Sequence, residues 1–268
     1  MTKMSDAEYF AAAGVSQSTL KLFRKSPAHA RYVMLNRREP SASMKIGSAV
    51  HSILLEGFEC HAVLPESMKG QSKAAIMARE EFQANNLNKI ILTQAEANQV
   101  QCMVDSVKTH EGAKKLLAIT EQAEVSLFWK EECGTACRGK LDGIMPIGVL
   151  DLKSTQGASI DEFAKSIYNF GYHIQAAHYL AGAAANNLPC ENFYIIAVEN
   201  TPPYCTAVFV LEHESIEAGE KERKKLLQIY NDCVKNDNWP GYSDKIQAIG
   251  LPQWALRKIN EENENYDY

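Results

Sequence analysis

Residues 121–155, EQAEVSLFWKEECGTACRGKLDGIMPIGVLDLKST, alternate apolar and polar side chains with a period of two and are interrupted by Gly134, Gly143 and Gly148. A period of two sends successive side chains to opposite faces of a pleated strand, a pattern that no helix satisfies. Three strands in a meander are therefore predicted, at 121–131, 135–145 and 147–153. The third is unusual. Strands covered on both faces are normally runs of Val, Ile and Leu, yet this one carries Asp151 and Lys153. Alternation puts Val149, Asp151 and Lys153 on one face, and Leu150 and Leu152 on the other. Two charges in a sheet interior are costly unless they pair or meet a metal or ligand. A structural ion pair at a strand end is one reading of them.

The preceding strand offers a second. In CRGKLDG the same alternation places Arg138, Lys140 and Asp142 on one face, so two neighbouring strands each present an aspartate beside a base. Carboxylates from adjacent strands can hold Mg²⁺, a hard cation that keeps open positions for water and phosphate. Lys153 would then orient or acidify an attacking water and offset charge on a phosphoryl group. Asp142 also reads as a turn residue, because Asp-Gly is a common hairpin dipeptide.

The rest of the chain supplies a scaffold for such a sheet. In the first half, SQSTLKLFRKS opens on capping serines, and Pro27 suits the first turn of a second helix through AHARYVMLNRR. SMKIGSAVHSILLE puts Ile46, Val50, Ile53 and Leu54 at helical spacing, and Thr93 with Glu96 has the spacing of a capping box. After the meander come a helix with a Ser159/Glu162 capping box, a helix YHIQAAHYLAGAAANN, two apolar strands (NFYIIAVEN and PYCTAVFVLE) and a charged amphipathic helix near 213–235. The expected architecture is an α/β domain with a mixed central sheet flanked by helices and a helical N-terminal part.

With 268 residues, 46% of them hydrophobic, the chain can bury one substantial core, so a single domain over 1–259 is expected. Residues 260–268 hold four acids and no base, and read as a disordered tail. Removing them takes the formal charge from −5 to −1, which leaves room for a local basic channel. Seven scattered cysteines argue against a disulfide framework, and the close pair Cys133 and Cys137 lacks the partners a structural zinc needs. No apolar run suits a membrane span or a signal peptide, so a cytoplasmic protein is expected.

The LDG of residues 141–143, followed by LDLKST, resembles the core of the PD-(D/E)XK nucleases, with Asp142 as the first acid and Asp151 to Lys153 as the D-x-K. Other segments resemble the RecB-like branch in the same order: Gly47 and His51 match its G-x-x-x-H helix, Gln175 and Tyr179 its Q-x-x-x-Y helix, and Ser16, Ser18, Leu20, Phe23 and Pro27 its opening. Glu124 matches an acid found on the first strand, as metal ligand or supporting carboxylate. The likeness spans residue 16 to about 180 and is nearest to the RecE-type exonucleases, also called the exodeoxyribonuclease VIII nuclease domain. His51 also reads as a core histidine, and Gln175 with Tyr179 as packing.

The resemblance implies a restriction-endonuclease-like core and a metal-dependent deoxyribonuclease. His51, Asp142, Asp151 and the carbonyl of Leu152 would hold Mg²⁺, with Mn²⁺ as an alternative, and Asp142, Asp151, Lys153, Glu124, Gln175 and Tyr179 would form the catalytic set. It implies 5′→3′ degradation of linear duplex DNA from its ends, 3′ tails handed to an annealing protein of the RecT type, and a ring-shaped oligomer, commonly a tetramer. Lys21, Arg24, Lys25, Arg31, Arg138 and Lys140 become candidates for DNA contact, against the alternative of a solvated helix face. Relatives with an iron–sulfur cluster carry cysteine where this chain has Ser26, so no cluster is expected, and the lack of a G-x-x-x-x-G-K-[ST] loop speaks against ATP use. A single-strand or endonucleolytic RecB-like nuclease, a non-catalytic DNA-end-binding module and a hydrolase of another phosphoester stand as alternatives.

Overall fold

The computed structural model describes Met4, residues 6–36 and residues 39–264. The chain opens with α1 (Asp6–Ala11), α2 (Gln17–Leu22), α3 (Pro27–Leu35) and α4 (Ala42–His51), the last continuing into a π-helical turn, Ser52–Glu56. The serines do the capping work expected of them. Ser16 accepts the Thr19 N–H at 3.2 Å, Ser26 accepts the His29 N–H at 3.3 Å, and Pro27 occupies the first helical turn where its missing donor costs nothing.

Next come β1 (His61–Val63), α5 (Lys73–Asn85), β2 (Ile90–Leu92), α6 (Gln94–Thr109) and α7 (Glu111–Ala118). β1 and β2 form a small parallel sheet of their own. The Thr93/Glu96 capping box forms in both directions, starting α6.

The predicted meander follows as β3 (Gln122–Lys130), β4 (Ala136–Met145) and β5 (Gly148–Thr155). Asp142 and Gly143 lie inside β4, so the turn reading of that dipeptide is overturned; the chain reverses at Pro146 and Ile147 instead. Then come α8 (Ile160–Asn169), α9 (Tyr172–Ala185), β6 (Phe193–Glu199), β7 (Thr206–Val210), α10 (His213–Asn236) and α11 (Gln253–Glu264). Ser159 does not cap α8 by accepting a main-chain N–H; its hydroxyl donates to Glu162 Oε2 at 2.7 Å. α11 carries the helix through residues 260–264, where the composition suggests a disordered tail, and 265–268 lie outside the described residues.

Strands β3 to β7 form one sheet in that order, antiparallel throughout except for the parallel pair β5–β6, which α8 and α9 connect. Alternation along β5 and β6 sorts side chains into two cores. Val149, Ile195 and Ala197 join Leu20, Phe23, Ile174 and Leu226 from α2, α9 and α10. Leu150, Leu152, Ile196 and Val198 join Ile46, Val50, Met103 and Val104 from α4 and α6. Asp151 shares the face of Val149 and so points at α9. This is the mixed sheet between helices that the sequence predicts.

Candidate metal-binding site

β4 and β5 run hydrogen-bonded only from Gly143↔Leu150 to Met145↔Gly148. One step further the ladder would bring Asp142 opposite Asp151, and there the two strands part. β5 remains paired to β6 from Val149 to Thr155. The main-chain groups of Leu152 that face β4 are therefore met by side chains: its N–H donates to Asp142 Oδ2 at 2.8 Å, and its carbonyl accepts from His51 Nε2 at 2.8 Å. His51 Nδ1 lies 3.5 Å from Asp142 Oδ2. A buried main-chain group must find a partner, and here the partners are two of the proposed metal ligands.

His51 reaches this point because α4 approaches β5 closely. Gly47 faces Ser154, and a Cβ at that glycine would stand 3.3 Å from Ser154 Oγ. The imidazole is the last residue of α4 before the π turn, a feature that recurs at functional sites. On the other side, Glu124 stands across the β3–β4 ladder from Asp142, between the paired Ala123↔Gly143 and Val125↔Leu141. Its backbone is left-handed, with φ of 56°, and its carboxylate pairs with Lys140 at 2.6 Å. Glu124, Asp142 and Asp151 thus sit in a row across three strands.

Asp151 is turned toward α9. Gln175 Nε2 donates to its Oδ1 at 2.6 Å, while its Oδ2, shut away from solvent and without a well-directed hydrogen bond, faces the Lys153 ammonium 2.5 Å away. Tyr179, one turn after Gln175, packs its ring against Gly139. Burial pushes the Tyr179 phenol well above its ordinary value, and the charges of Asp142 and Asp151 add to the effect. Burial likewise lifts Asp142 to about 6; His51 opposes that rise and Asp151 reinforces it. Burial alone would lower Lys153, but Asp151 and Asp142 together outweigh it and raise its pKa, so the residue stays a firm cation.

The donor atoms of His51, Glu124 and Asp142 lie within 4.8 Å of one another, and these three are the only such group among the described residues. An imidazole, carboxylates and the nearby carbonyl of Leu152 make an oxygen-rich donor set suited to Mg²⁺ or Mn²⁺. Asp151, expected from the sequence to be a ligand, is not in that group of three; its buried, poorly satisfied Oδ2 faces Lys153. His51, Glu124, Asp142 and Leu152 line a cleft of about 1390 Å³, whereas Asp151 is buried and does not line it.

The sequence-derived basic residues divide. Lys140 and Lys153 line the cleft. Arg138 is buried under α1, donating to the carbonyls of Tyr9, Phe10 and Ala12 and stacking on the Tyr9 ring. Arg31 pairs with Asp237 at 3.6 Å and lies over Trp239. Arg24 is bound to Glu222 and to the carbonyl of Tyr168. Lys21 reaches over Gly171 toward Tyr172, where burial and then the nearby Lys153 lower it to about 7. Tyr172 was not legible as a site residue, because no motif marks it: its ring lines the cleft with the Lys153 ammonium 5.1 Å above its centre.

The family profile described as PDDEXK-like domain of unknown function (DUF3799) matches residues 16–252. Among solved structures, a protein of Eubacterium rectale whose name provisionally marks it as an exonuclease is similar at a TM-score of 0.59 and 15% identity, over 96% of this chain and 98% of that one. At that identity the likeness bears on the fold alone. A phage related exonuclease from Haemophilus somnus 129PT aligns at 0.38 and 13% identity over 87% of this chain and 100% of its own. An alkaline exonuclease from Laribacter hongkongensis aligns at 0.35 and 13%, over 86% and 96%. No curated protein matches the chain in sequence.

Proposed function

The chain belongs to this PDDEXK-like family, a domain of nuclease type, and on that premise we propose that it is a Mg²⁺-dependent exodeoxyribonuclease acting on the ends of linear duplex DNA. The observation that carries the reading is the parting of β4 and β5 at Asp142 and Asp151, with His51 and the Leu152 carbonyl converging on the gap. Those four residues would hold the cation, His51 and Asp142 together with Glu124, the donor atoms of these three lying within 4.8 Å of one another. When bound, a divalent ion supplies Lewis-acid stabilisation of the phosphoryl oxygens and a more acidic water.

The remaining work falls to the chain's own side chains. Lys153, kept protonated by two carboxylates, offsets negative charge on the reacting phosphate instead of acting as a base. Gln175 fixes the carboxylate plane of Asp151 through a 2.6 Å hydrogen bond. Tyr179 braces α9 against Gly139, and Lys140 holds Glu124 toward the gap.

The family resemblance supports 5′→3′ polarity, 3′ single-stranded tails passed to an annealing protein of the RecT type, and a tetrameric ring; a cytoplasmic setting is the sequence-based expectation. No helix among the described residues is long and apolar enough to cross a membrane. The test is digestion of linear duplex labelled separately at its 5′ and 3′ ends, beside closed circles and single strands, with Mg²⁺ or EDTA. Mg²⁺-dependent loss of the 5′ label, sparing circles and abolished by Asp151→Ala, is the expected result. Intact DNA in every reaction overturns it.

A further inference from the structure

A second groove, of about 720 Å³, lies between α2–α3 and the corner joining α8 to α9. Its lining includes Lys21, Arg24, Lys25 and His29, and no carboxylate, on a chain whose formal charge is −5. Its apolar surface is aromatic and exposed: Tyr32 at 61% on one wall, Tyr168 at 66% and Phe170 at 59% on the other. The corner reads Tyr168-Asn-Phe-Gly-Tyr172, an aromatic at every second residue. Phe170 stacks on Tyr172 with ring centres 5.7 Å apart, Phe170 lines both the groove and the main cleft, and Tyr172 carries the Lys153 ammonium 5.1 Å over its ring. The aromatic rings therefore form steps from the groove to the proposed catalytic lysine.

Exposed rings flanked by Lys25, with Arg24 held by Glu222 beside them, match a polyanion that also presents flat π faces. In a duplex those faces are already stacked on one another, whereas unpaired bases are free to stack on side chains. We propose that this groove binds a single-stranded segment of nucleic acid, the unpaired end of the strand whose phosphates enter the cleft. Bases stack on Tyr32 and Phe170, and Lys25 meets the phosphates. Arg24, tied to Glu222 and lying over the Tyr168 ring at 5.0 Å, stiffens the wall. The inference rests on the nuclease reading for the identity of the strand, and on the groove's own chemistry for its binding.

The experiment is fluorescence anisotropy of a dye-labelled oligothymidylate on the full chain in EDTA, which separates binding from hydrolysis. Phe170→Ala and Tyr32→Ala are each expected to weaken binding about tenfold, with Phe170→Tyr retaining it. Lys25→Ala is expected to reduce the slope of log affinity against log salt by about 0.7. An abasic oligonucleotide of equal length binds like the alanine variants. Equal affinity of the abasic strand, wild-type affinity of both aromatic variants, or displacement by polyglutamate as effective as by oligonucleotide overturns the proposal. Parallel digestion of linear duplex by the wild type keeps the two readings apart. Hydrolysis without groove-dependent binding leaves the nuclease standing and removes the groove, and binding without hydrolysis does the reverse.

Discussion

Asp142 Oδ2 accepts the main-chain N–H of Leu152 at 2.8 Å, replacing with a side chain the β4 partner that the parted ladder no longer provides. One carboxylate thus has a structural duty and a proposed metal-binding one, and the two are separable. Asp142→Ala strands a buried N–H and is expected to cost about 1–3 kcal/mol in urea unfolding as well as all DNA hydrolysis. Asp142→Asn keeps an acceptor oxygen, so it should retain near-wild-type stability while losing hydrolysis.

Asp151 and Lys153 form a buried pair at 2.5 Å, and removing one member leaves the other uncompensated. Lys153→Met is expected to destabilise the metal-free protein by about 3 kcal/mol, and adding Asp151→Asn should recover most of that loss. Hydrolysis stays absent in both. Additive losses in the double variant would show that the pair contributes no coupling.

Gln175 touches Asp151 and none of the other proposed ligands, so it acts through Asp151. Gln175→Ala is expected to raise the Mg²⁺ concentration for half-maximal hydrolysis by about 10–100-fold while saturating Mg²⁺ restores much of the rate. Unchanged metal dependence would reduce Gln175 to packing.

His178 is buried against Trp129, donates Nε2–H to the Arg138 carbonyl at 3.0 Å and leaves Nδ1 without a partner; burial lowers it to about 4. Above its ordinary value of 6.5 the imidazole is neutral whether the chain is folded or not. Between there and about 4 only the unfolded chain takes up the proton, so the stabilising term is intact above 6.5 and is lost as pH falls through that window. The loss approaches about 3 kcal/mol. Urea midpoints at pH 7 and pH 5 should differ less in His178→Gln than in the wild type.

The sequence exposes the meander, the faces of Asp151 and Lys153, and the Thr93/Glu96 start of α6, because each depends on neighbours within a few residues. It fails where partners come from afar. Alternation assigns Arg138 to a face, but α1, more than a hundred residues upstream, decides that the guanidinium is covered. The Glu124–Lys140 pair depends on the register of β3 against β4, which the hairpin length sets. The short β1 and β2, with α5, carry weak periodicity and take their form from packing. Ser159 and Glu162 have capping-box spacing, yet a direct hydroxyl–carboxylate bond wins.

Glu124 holds a left-handed backbone that glycine adopts freely and glutamate does not, at a cost on the order of 1–3 kcal/mol. Glu124→Gly would relieve that strain but take from Lys140 its 2.6 Å carboxylate partner, and would remove the only carboxylate on β3 that reaches the gap. A thermostability screen of this protein therefore doubles as a test of that residue: variants at 124 that melt later should digest DNA more slowly, and one that gained on both counts would strip Glu124 of its place beside the metal.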